Sequence, residues 1–545
     1  MPRIRLTAWK LSLLAAIFIV AVNNHALFAH LVERLPMNSM AGVAYLALIA
    51  SLMVAVLFAL FMLLGVGPLL KPLIVALLVL SALLGFFTND MGVVFDQEMI
   101  RNSLETIRDA NGQEAIELLS WSLAGYLLLY AIAPAVCVLS VQRVRRPLLS
   151  ELRSRALCLA LGAAVIGTLA LPNYKYVTYF SVENRDLRLE VTPIFAVMSL
   201  LDFVESQDRD EPPEFHVVGE DAKQEKTNSR RIVGVLVVGE TARADHFSLD
   251  GYARDTNPLL EQEPGLMFFD AASCGTSTAF SVPCMFSMRK QGDFSPDVAK
   301  YESNVLDILE HAGVEAVWID NNSSCKNVCN RIASENLHRQ PDPSSPYYGE
   351  DAYYDEILID ELASRLESSD SDLLVVLHTL GSHGPAYSRR YPQRFGVFSP
   401  YCHRKSPNEC ADAEVANAYD NTILYTDYIL SQVIGVLKKH TEFDSFMLYA
   451  SDHGESLGEN GVYLHGLPYS LAPRAQTDVP FIVWLSPSFA VNSGIDTDAP
   501  AAKHAGTLSH DNISHTLLGL YEVPTRVYQA DLDMFGTRTA LFTSQ

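Results

Sequence analysis

Apolar residues are distributed unevenly along the 545 positions of the chain. Up to about residue 172 they form long runs: Leu11 to about Val22, then about 41–65, 69–88, 118–140 and 156–171. Each approaches the ~20 residues that a bilayer-spanning helix needs, the first and last being short. Arg3, Arg5 and Lys10 ahead of the first run would also suit a cleaved signal peptide. Four more runs follow, however, so five spans are expected. The stretch 141–155 carries Arg143, Arg145, Arg146, Arg153 and Arg155, which puts it on the cytoplasmic side with the amino terminus and the 66–68 turn. Five crossings then place everything after Leu171 outside.

The outer loop 89–116 is long and amphipathic, and is read as a solvated connector or as one wall of a substrate path. Residues 173–230 form a bridge. Tyr174, Tyr176, Tyr179 and Phe180 fall where an aromatic belt belongs, 193–204 reads as a helix lying on the membrane or on the soluble part, and the polar stretch 205–230 as a flexible linker. The pattern changes at Arg231. Short apolar runs at about 232–238, 314–319, 372–378, 445–450 and 479–485 alternate with helical stretches at 303–312, 354–367, 415–438 and 510–520. Strands without polar alternation are buried on both faces, which predicts an α/β domain with a mostly parallel sheet and helices on each side. The expected organisation is a five-helix transmembrane bundle over 1–172, a bridge over 173–230 and an extracytoplasmic catalytic domain over 231–545.

The formal charge of -23 argues against a nucleic-acid partner, which calls for a basic face. Of eight cysteines, Cys137 and Cys158 sit in apolar segments and read as inert packing residues. The other six form close pairs, Cys274/Cys284, Cys325/Cys329 and Cys402/Cys410. Such pairs predict three short-loop disulfides and an oxidising compartment, in independent agreement with the span count.

In sheets of this kind ligands sit beyond the carboxyl ends of the strands. Glu240, His378, Asp452 and His453 fall there, and an Asp-His pair at a strand end is a common way to hold a divalent metal. Gly454 permits the irregular turn that would aim both side chains at one ion. The loop from Cys274 to Cys284 runs into a helix near Val282, and a helix amino terminus favours a phosphoryl group. Thr276, Ser277, Thr278 and Ser281 are all eligible as a metal-activated nucleophile on this loop. His383 and His465, in Gly/Pro-containing loops, are eligible as metal ligands, general acids or phosphate donors.

Val238-Gly239-Glu240-Thr241-Ala242-Arg243, the Cys274–Cys284 loop, Trp318-Ile319-Asp320-Asn321-Asn322, Gly381-Ser382-His383-Gly384-Pro385, Ser451 to Glu459 and Ser509-His510-Asp511-Asn512 together carry a family resemblance. Nearly end to end, the chain resembles the lipid A phosphoethanolamine transferases of Gram-negative inner membranes, within the alkaline phosphatase and sulfatase superfamily. The resemblance implies Thr278 as nucleophile. It implies one tight zinc held by Glu240, Thr278, Asp452 and His453, with room for a second, weaker ion. Asn322, Lys326, His383 and His465 would be the substrate-phosphate or second-metal positions. The implied donor is phosphatidylethanolamine and the implied acceptor a lipid A phosphate, with a phosphoethanolamine-threonine intermediate, in a multi-pass inner-membrane monomer with a periplasmic catalytic domain. Resistance to polymyxin is the implied consequence. One departure is His246, where the family shows asparagine; it reads as a solvated helix residue or as a charge near the metal. A sulfatase proper is disfavoured, because Ser281-Val282-Pro283-Cys284 is followed by Met285 and not by the arginine its modified nucleophile requires. A phosphoglycerol transferase of the same superfamily, another glycan acceptor and a degenerate membrane sensor are the remaining alternatives.

Overall fold

The computed structural model describes residues 4–35, 37, 40–109, 119–144, 146–184, 186–207, 214–337, 342–350, 352–497 and 508–536. The chain divides into two compact units, Met1–Ile100 with Leu119–Asp208, and Arg101–Leu118 with Arg209–Gln545.

Among the described residues of the first unit, four helices are long and apolar enough to cross a membrane: Gly42–Leu64, Gly67–Met91, Trp121–Ser140 and Leu149–Leu171. The first expected span is instead a bent pair, Ala8–Asn23 and His25–Arg34, which meet at 64° and make a fifth crossing only if counted as one. Asn23 and Asn24 stand at the bend. Asn23 donates to Ser81 at 2.8 Å, and the Asn24 carboxamide both accepts from and donates to the Thr192 backbone at 2.9 and 3.0 Å. These bonds occupy the Asn24 carboxamide and the Asn23 amide nitrogen, groups that would otherwise be costly among apolar helices. The last run does not begin at 156: the helix is continuous over Leu148–Glu183, so Arg153 and Arg155 lie on it and not in a loop. Arg155 is buried and donates to the carbonyls of Met62 and Gly65, closing the end of the Met40–Leu64 helix. A helix spans Ile194–Gln207, where the bridge is expected, and another spans Gln97–Asp109, where the outer loop is expected and where the first unit gives way to the second at Arg101. The side chains of Tyr174, Tyr176, Tyr179 and Phe180, and residues 110–118 and 208–213, lie outside the described residues. Cys137, expected to be packed, is exposed, because it is on the outward side of its helix.

The second unit is built on an eight-stranded sheet. Its strands, numbered in chain order, are β1 Ile232–Gly239, β2 Leu266–Ala272, β3 Glu315–Asp320, β4 Ala333–Asn336, β5 Leu373–His378, β6 Asp444–Ser451, β7 Asp478–Leu485 and β8 Leu508–Ser509. The spatial order is β8-β2-β7-β6-β1-β5-β3-β4. β1, β3, β4, β5 and β6 run parallel, while β7 pairs antiparallel with both β6 and β2. β1 is buried throughout. Ile232, Leu236 and Val238 pack toward the helices Thr278–Met285, Val305–His311 and Asp511–Leu520, and Val233, Val235 and Val237 toward Ile357–Ser368 and Asp412–Lys438. This is the layered arrangement the continuous apolar runs predict. The stretch 214–230 is not loose. His216 bridges to Tyr301 and Ser303, and Lys226 and Gln224 bond Asp372. Lys226 and Arg230 find partners at the amino ends of the interior strands β5 and β6, Asp372 and Asp444, which composition alone does not reveal. The three expected disulfides form between Cys274 and Cys284, Cys325 and Cys329, and Cys402 and Cys410.

Tyr521 fixes the sheet at the opposite end from the site. Its hydroxyl accepts from Gly234 N–H at 2.9 Å on β1 and donates to Leu373 C=O at 2.6 Å on β5. Tyr521→Phe leaves both backbone groups without that partner in a buried place, and is expected to destabilise this unit by about 1–3 kcal/mol, read as a lowered midpoint in chemical denaturation.

Candidate active site

Parallel pairing sets the site. Val238 lies opposite Ala450, and Gly239 opposite Ser451, so Glu240 and Asp452 follow their strands in step. Neither has any exposed surface, nor does His453. The backbone at both ends turns sharply. Thr241 takes a left-handed φ of 53° and is held by Tyr419, whose hydroxyl donates to Thr241 C=O at 2.7 Å and accepts from Arg243 N–H at 2.9 Å. Gly454 is required by space and not by its φ: a Cβ there would lie 2.1 Å from the Ala475 carbonyl oxygen. Asp452 Oδ1 accepts from the N–H groups of Thr241 at 3.2 Å and His453 at 2.7 Å, so it ties the two strand ends together.

Three donor groups converge. One atom each from Glu240, Asp452 and His453 lie within 4.8 Å of one another. His453 Nδ1 donates to Gly454 C=O at 2.9 Å, which fixes the tautomer and leaves Nε2 with its lone pair. That Nε2 stands 3.2 Å from Asp452 Oδ2 and 3.5 Å from Glu240 Oε1. Asp452 Oδ2 is buried without a hydrogen-bond partner. Where those carboxylates are ionised, a lone pair facing their oxygens is repulsive until a cation enters. The donor set, two carboxylates and an imidazole, suits zinc and also manganese. Burial, and then the neighbouring Asp452, push the Glu240 carboxyl up; burial pushes up Asp452 as well. His453 is pushed down to about 4 by burial and then by His465.

The fourth group is Thr278, first residue of the helix Thr278–Met285. Its hydroxyl lies 3.3 and 3.4 Å from the two Glu240 oxygens and 3.4 Å from His453 Nε2. The other eligible hydroxyls go elsewhere. Thr276 donates to Leu467 C=O at 2.6 Å, Ser281 accepts from Gly275 N–H at 2.8 Å, and Ser277 Oγ is buried without a partner.

The remaining expected residues surround this cluster unevenly. Asn322 donates to Glu240 Oε2 at 2.8 Å and to Thr379 C=O at 3.0 Å, so its amide braces a member of the cluster. His465 has its ring centre 4.2 Å from that of His453 and 6.1 Å from that of His383. Lys326 is buried at a left-handed φ of 48°, inside the Cys325–Cys329 loop. His246 is neither solvated nor on an α-helix: it is buried in a short 3₁₀ turn, stacked on Tyr252, with Nδ1 2.6 Å from Asp420.

Other groups at the site had no role assigned from sequence. Glu455 is buried, accepts from Tyr387 at 2.8 Å and bonds His465 Nδ1 at 2.9 Å, and burial pushes its carboxyl up to about 8. Asp320 accepts from Trp318 Nε1 at 3.0 Å and from Asn322 N–H at 2.8 Å, with His378 Nδ1 3.3 Å away. The motif Ser451 to Glu459 contained Glu455 all along, but only its contact with His465 gives it work.

A mostly parallel sheet with a carboxylate-histidine cluster and a hydroxyl at its carboxyl ends defines a sulfatase-type domain, and residues 233–523 match the family described as Sulfatase. Residues 53–207 match a second family, Phosphoethanolamine transferase EptA/EptB. The chain is 35% identical over 546 aligned positions to the phosphoethanolamine transferase EptA of Escherichia coli (strain K12), covering 98% of this chain and 97% of that one. It is 34% identical to the Escherichia coli phosphatidylethanolamine transferase Mcr-1, over 93% of this chain and 94% of that one. Among solved structures it resembles the integral membrane lipooligosaccharide phosphoethanolamine transferase A of Neisseria meningitidis, with a TM-score of 0.92 and 31% identity, over 98% of this chain and 99% of that one. The chain therefore belongs to the EptA family of lipid A phosphoethanolamine transferases, in the alkaline phosphatase and sulfatase superfamily.

The buried carboxyls bind protons more tightly folded than unfolded. Without metal, their contribution is most favourable below the ordinary carboxylate range near ~4 and is lost as pH rises through the raised folded values. A bound divalent cation cancels that loss. Chelation is therefore expected to lower the melting temperature more at about pH 8 than at about pH 5.5, checked by thermal scans with and without EDTA.

Proposed function

We propose that this protein transfers phosphoethanolamine from phosphatidylethanolamine to a phosphate of lipid A through a covalent threonine intermediate. The observation that carries this reading is the Thr278 hydroxyl at 3.3–3.4 Å from Glu240 and 3.4 Å from His453, on the first turn of a helix. The names of full-length relatives supply the group transferred. Glu240, Thr278, Asp452 and His453 would hold one zinc ion, and a second, weaker one would sit by His383 and His465 in place of the proton that one of them otherwise carries. When bound, zinc acidifies the threonine hydroxyl and offsets phosphoryl charge.

Thr278 Oγ1, whose proton passes to the Glu240 carboxylate it faces, attacks the phosphorus of the donor phosphodiester. The new O–P bond forms as the bond to the diacylglycerol oxygen breaks, and that oxygen takes a proton from a histidine of the His383/His465 pair. Glu455 orients His465 through Nδ1. A phosphate oxygen of the acceptor, its proton passing to the histidine that served diacylglycerol, then attacks the same phosphorus, and Thr278 Oγ1 leaves and takes back its own proton. Lys326 serves the phosphoryl group, and Asn322, whose amide donates to Glu240 and to Thr379 C=O, steadies the Glu240 carboxylate beside it. Adding an amine lowers the negative charge of lipid A, so cationic peptides such as polymyxin bind less.

The proposed organisation is a five-span bundle over 1–172, the bent first pair counting as one span, a bridge over 173–230 and a catalytic domain over 231–545. The chain would be a monomer in the bacterial inner membrane, with its catalytic domain in the periplasm.

Mass spectrometry of lipid A from cells expressing the intact protein or Thr278→Ala tests the reading. A phosphoethanolamine increment is expected with the intact chain and none with the variant. An increment on core sugar in place of lipid A would reassign the acceptor, and an increment with Thr278→Ala would remove the covalent route.

A further inference from the structure

His510 lies outside the metal-ligand and phosphate-binding sets, yet both its ring nitrogens are engaged at the site's base. It is buried, at the start of the helix Asp511–Leu520. Its Nδ1 is 3.0 Å from the backbone nitrogen of Cys274, and its Nε2 is 2.9 Å from the carbonyl oxygen of Ser451. An N–H can only donate and a carbonyl can only accept. Nδ1 therefore has no proton and Nε2 has one, so the ring is the neutral Nε2–H tautomer and cannot exchange roles without breaking a bond.

The two partners belong to different segments. Cys274 opens the loop that is stapled to Cys284 and carries Thr278, while Ser451 is the last residue of β6 and immediately precedes Asp452 and His453. Among the described residues, the other links between these segments are the long contacts at Thr278 itself and the backbone of 475–477, where Thr477 C=O accepts from Ser273 N–H and Gln476 C=O accepts from Gly454 N–H. Each segment is also rigid on its own side. In the loop, Ser273 donates to Gly275 C=O and Gly275 N–H donates to Ser281. At the strand end, Ser451 Oγ accepts from Ala242 N–H and donates to His453 C=O. A single imidazole thus spans two internally braced pieces, one with the hydroxyl and one with two members of the cluster.

We propose that His510 is a positioning residue: a neutral strut that sets the separation between the Thr278 loop and the Asp452–His453 strand end, and through it the fit of the metal and the aim of the hydroxyl. It touches neither substrate nor the reacting atoms. The inference rests on reading Glu240, Thr278, Asp452 and His453 as the metal site. Burial, which pushes His510 down to about 3, accords with a ring that stays neutral.

The test uses the full-length protein in detergent. Zinc affinity is measured by competition with a chromophoric chelator, and kcat and KM are measured with a fluorescent phosphatidylethanolamine. His510→Ala is expected to weaken zinc by about 10-fold or more, as supporting partners of metal ligands do, and to lower kcat while leaving KM for the donor nearly unchanged. His510→Asn places an amide near Nδ1 and His510→Gln places one near Nε2, so each keeps one of the two bonds and should fall between wild type and alanine. A general packing defect would not restore function in this graded way. Wild-type zinc affinity and kcat in the folded variants overturn the proposal. Should every variant fail to fold, nitrogen NMR of selectively labelled histidine in the wild-type chain decides it: the Nε2–H neutral form is expected, and a charged ring or the other tautomer overturns it. A wild-type chain that takes up no zinc refutes the metal reading itself, and the tautomer then remains the test of the strut.

Discussion

Glu240 and Asp452 stand side by side with no solvent to screen them, and the surrounding chain is arranged to hold them there. Removing an ion from water costs on the order of several kcal/mol even after relaxation, so two adjacent carboxylates are tolerated only with hydrogen bonds and a counter-charge. The hydrogen bonds are visible. Asn322 braces Glu240, and two backbone N–H groups brace Asp452. The counter-charge is the cation that the His453 lone pair and the unpartnered Asp452 oxygen invite.

The same constraint accounts for the strained and crowded backbone nearby. Thr241 is held in a left-handed conformation because its N–H must reach Asp452 while its carbonyl takes the Tyr419 hydroxyl. Gly381, also left-handed, leaves no space for a side chain, since a Cβ would lie 2.8 Å from Glu240 C=O. Strain of this kind persists where neighbouring bonds over-determine it. Around the site those bonds come from the buried ends of the strands and from the long helix Asp412–Lys438, which bears Tyr419.

Much of this was legible from pattern alone. Strands such as Val233–Val238 are continuous apolar runs, and the polar residues that interrupt them at Glu240 and Asp452 stand out for that reason. The short strands β4 and β8 were not legible: Ala333–Asn336 is a polar edge and Leu508–Ser509 has two residues, so neither leaves a hydrophobic signal. β2 was hidden because its burial is intermittent. The bend at Asn24 was invisible because it falls just past the apolar run that ends near Val22, and the residue that holds it, Thr192, is 168 positions away. His510 is the clearest case at the site. Its partners are main-chain atoms 236 and 59 positions away, and a backbone atom carries no sequence identity to betray the contact.

The register of β1 against β6 determines more than which faces are buried. Neighbouring strands lie about 4.8 Å apart wherever a sheet forms, and Gly239 opposite Ser451 brings the two acids out at matching heights. The gap between them is thus inherited from main-chain hydrogen bonding, a ruler that no side chain has to maintain. Loops above the sheet can lengthen, shrink or exchange their recognition groups while the ion-sized spacing beneath them stays constant, which lets one scaffold host different acceptors without rebuilding its chemical centre.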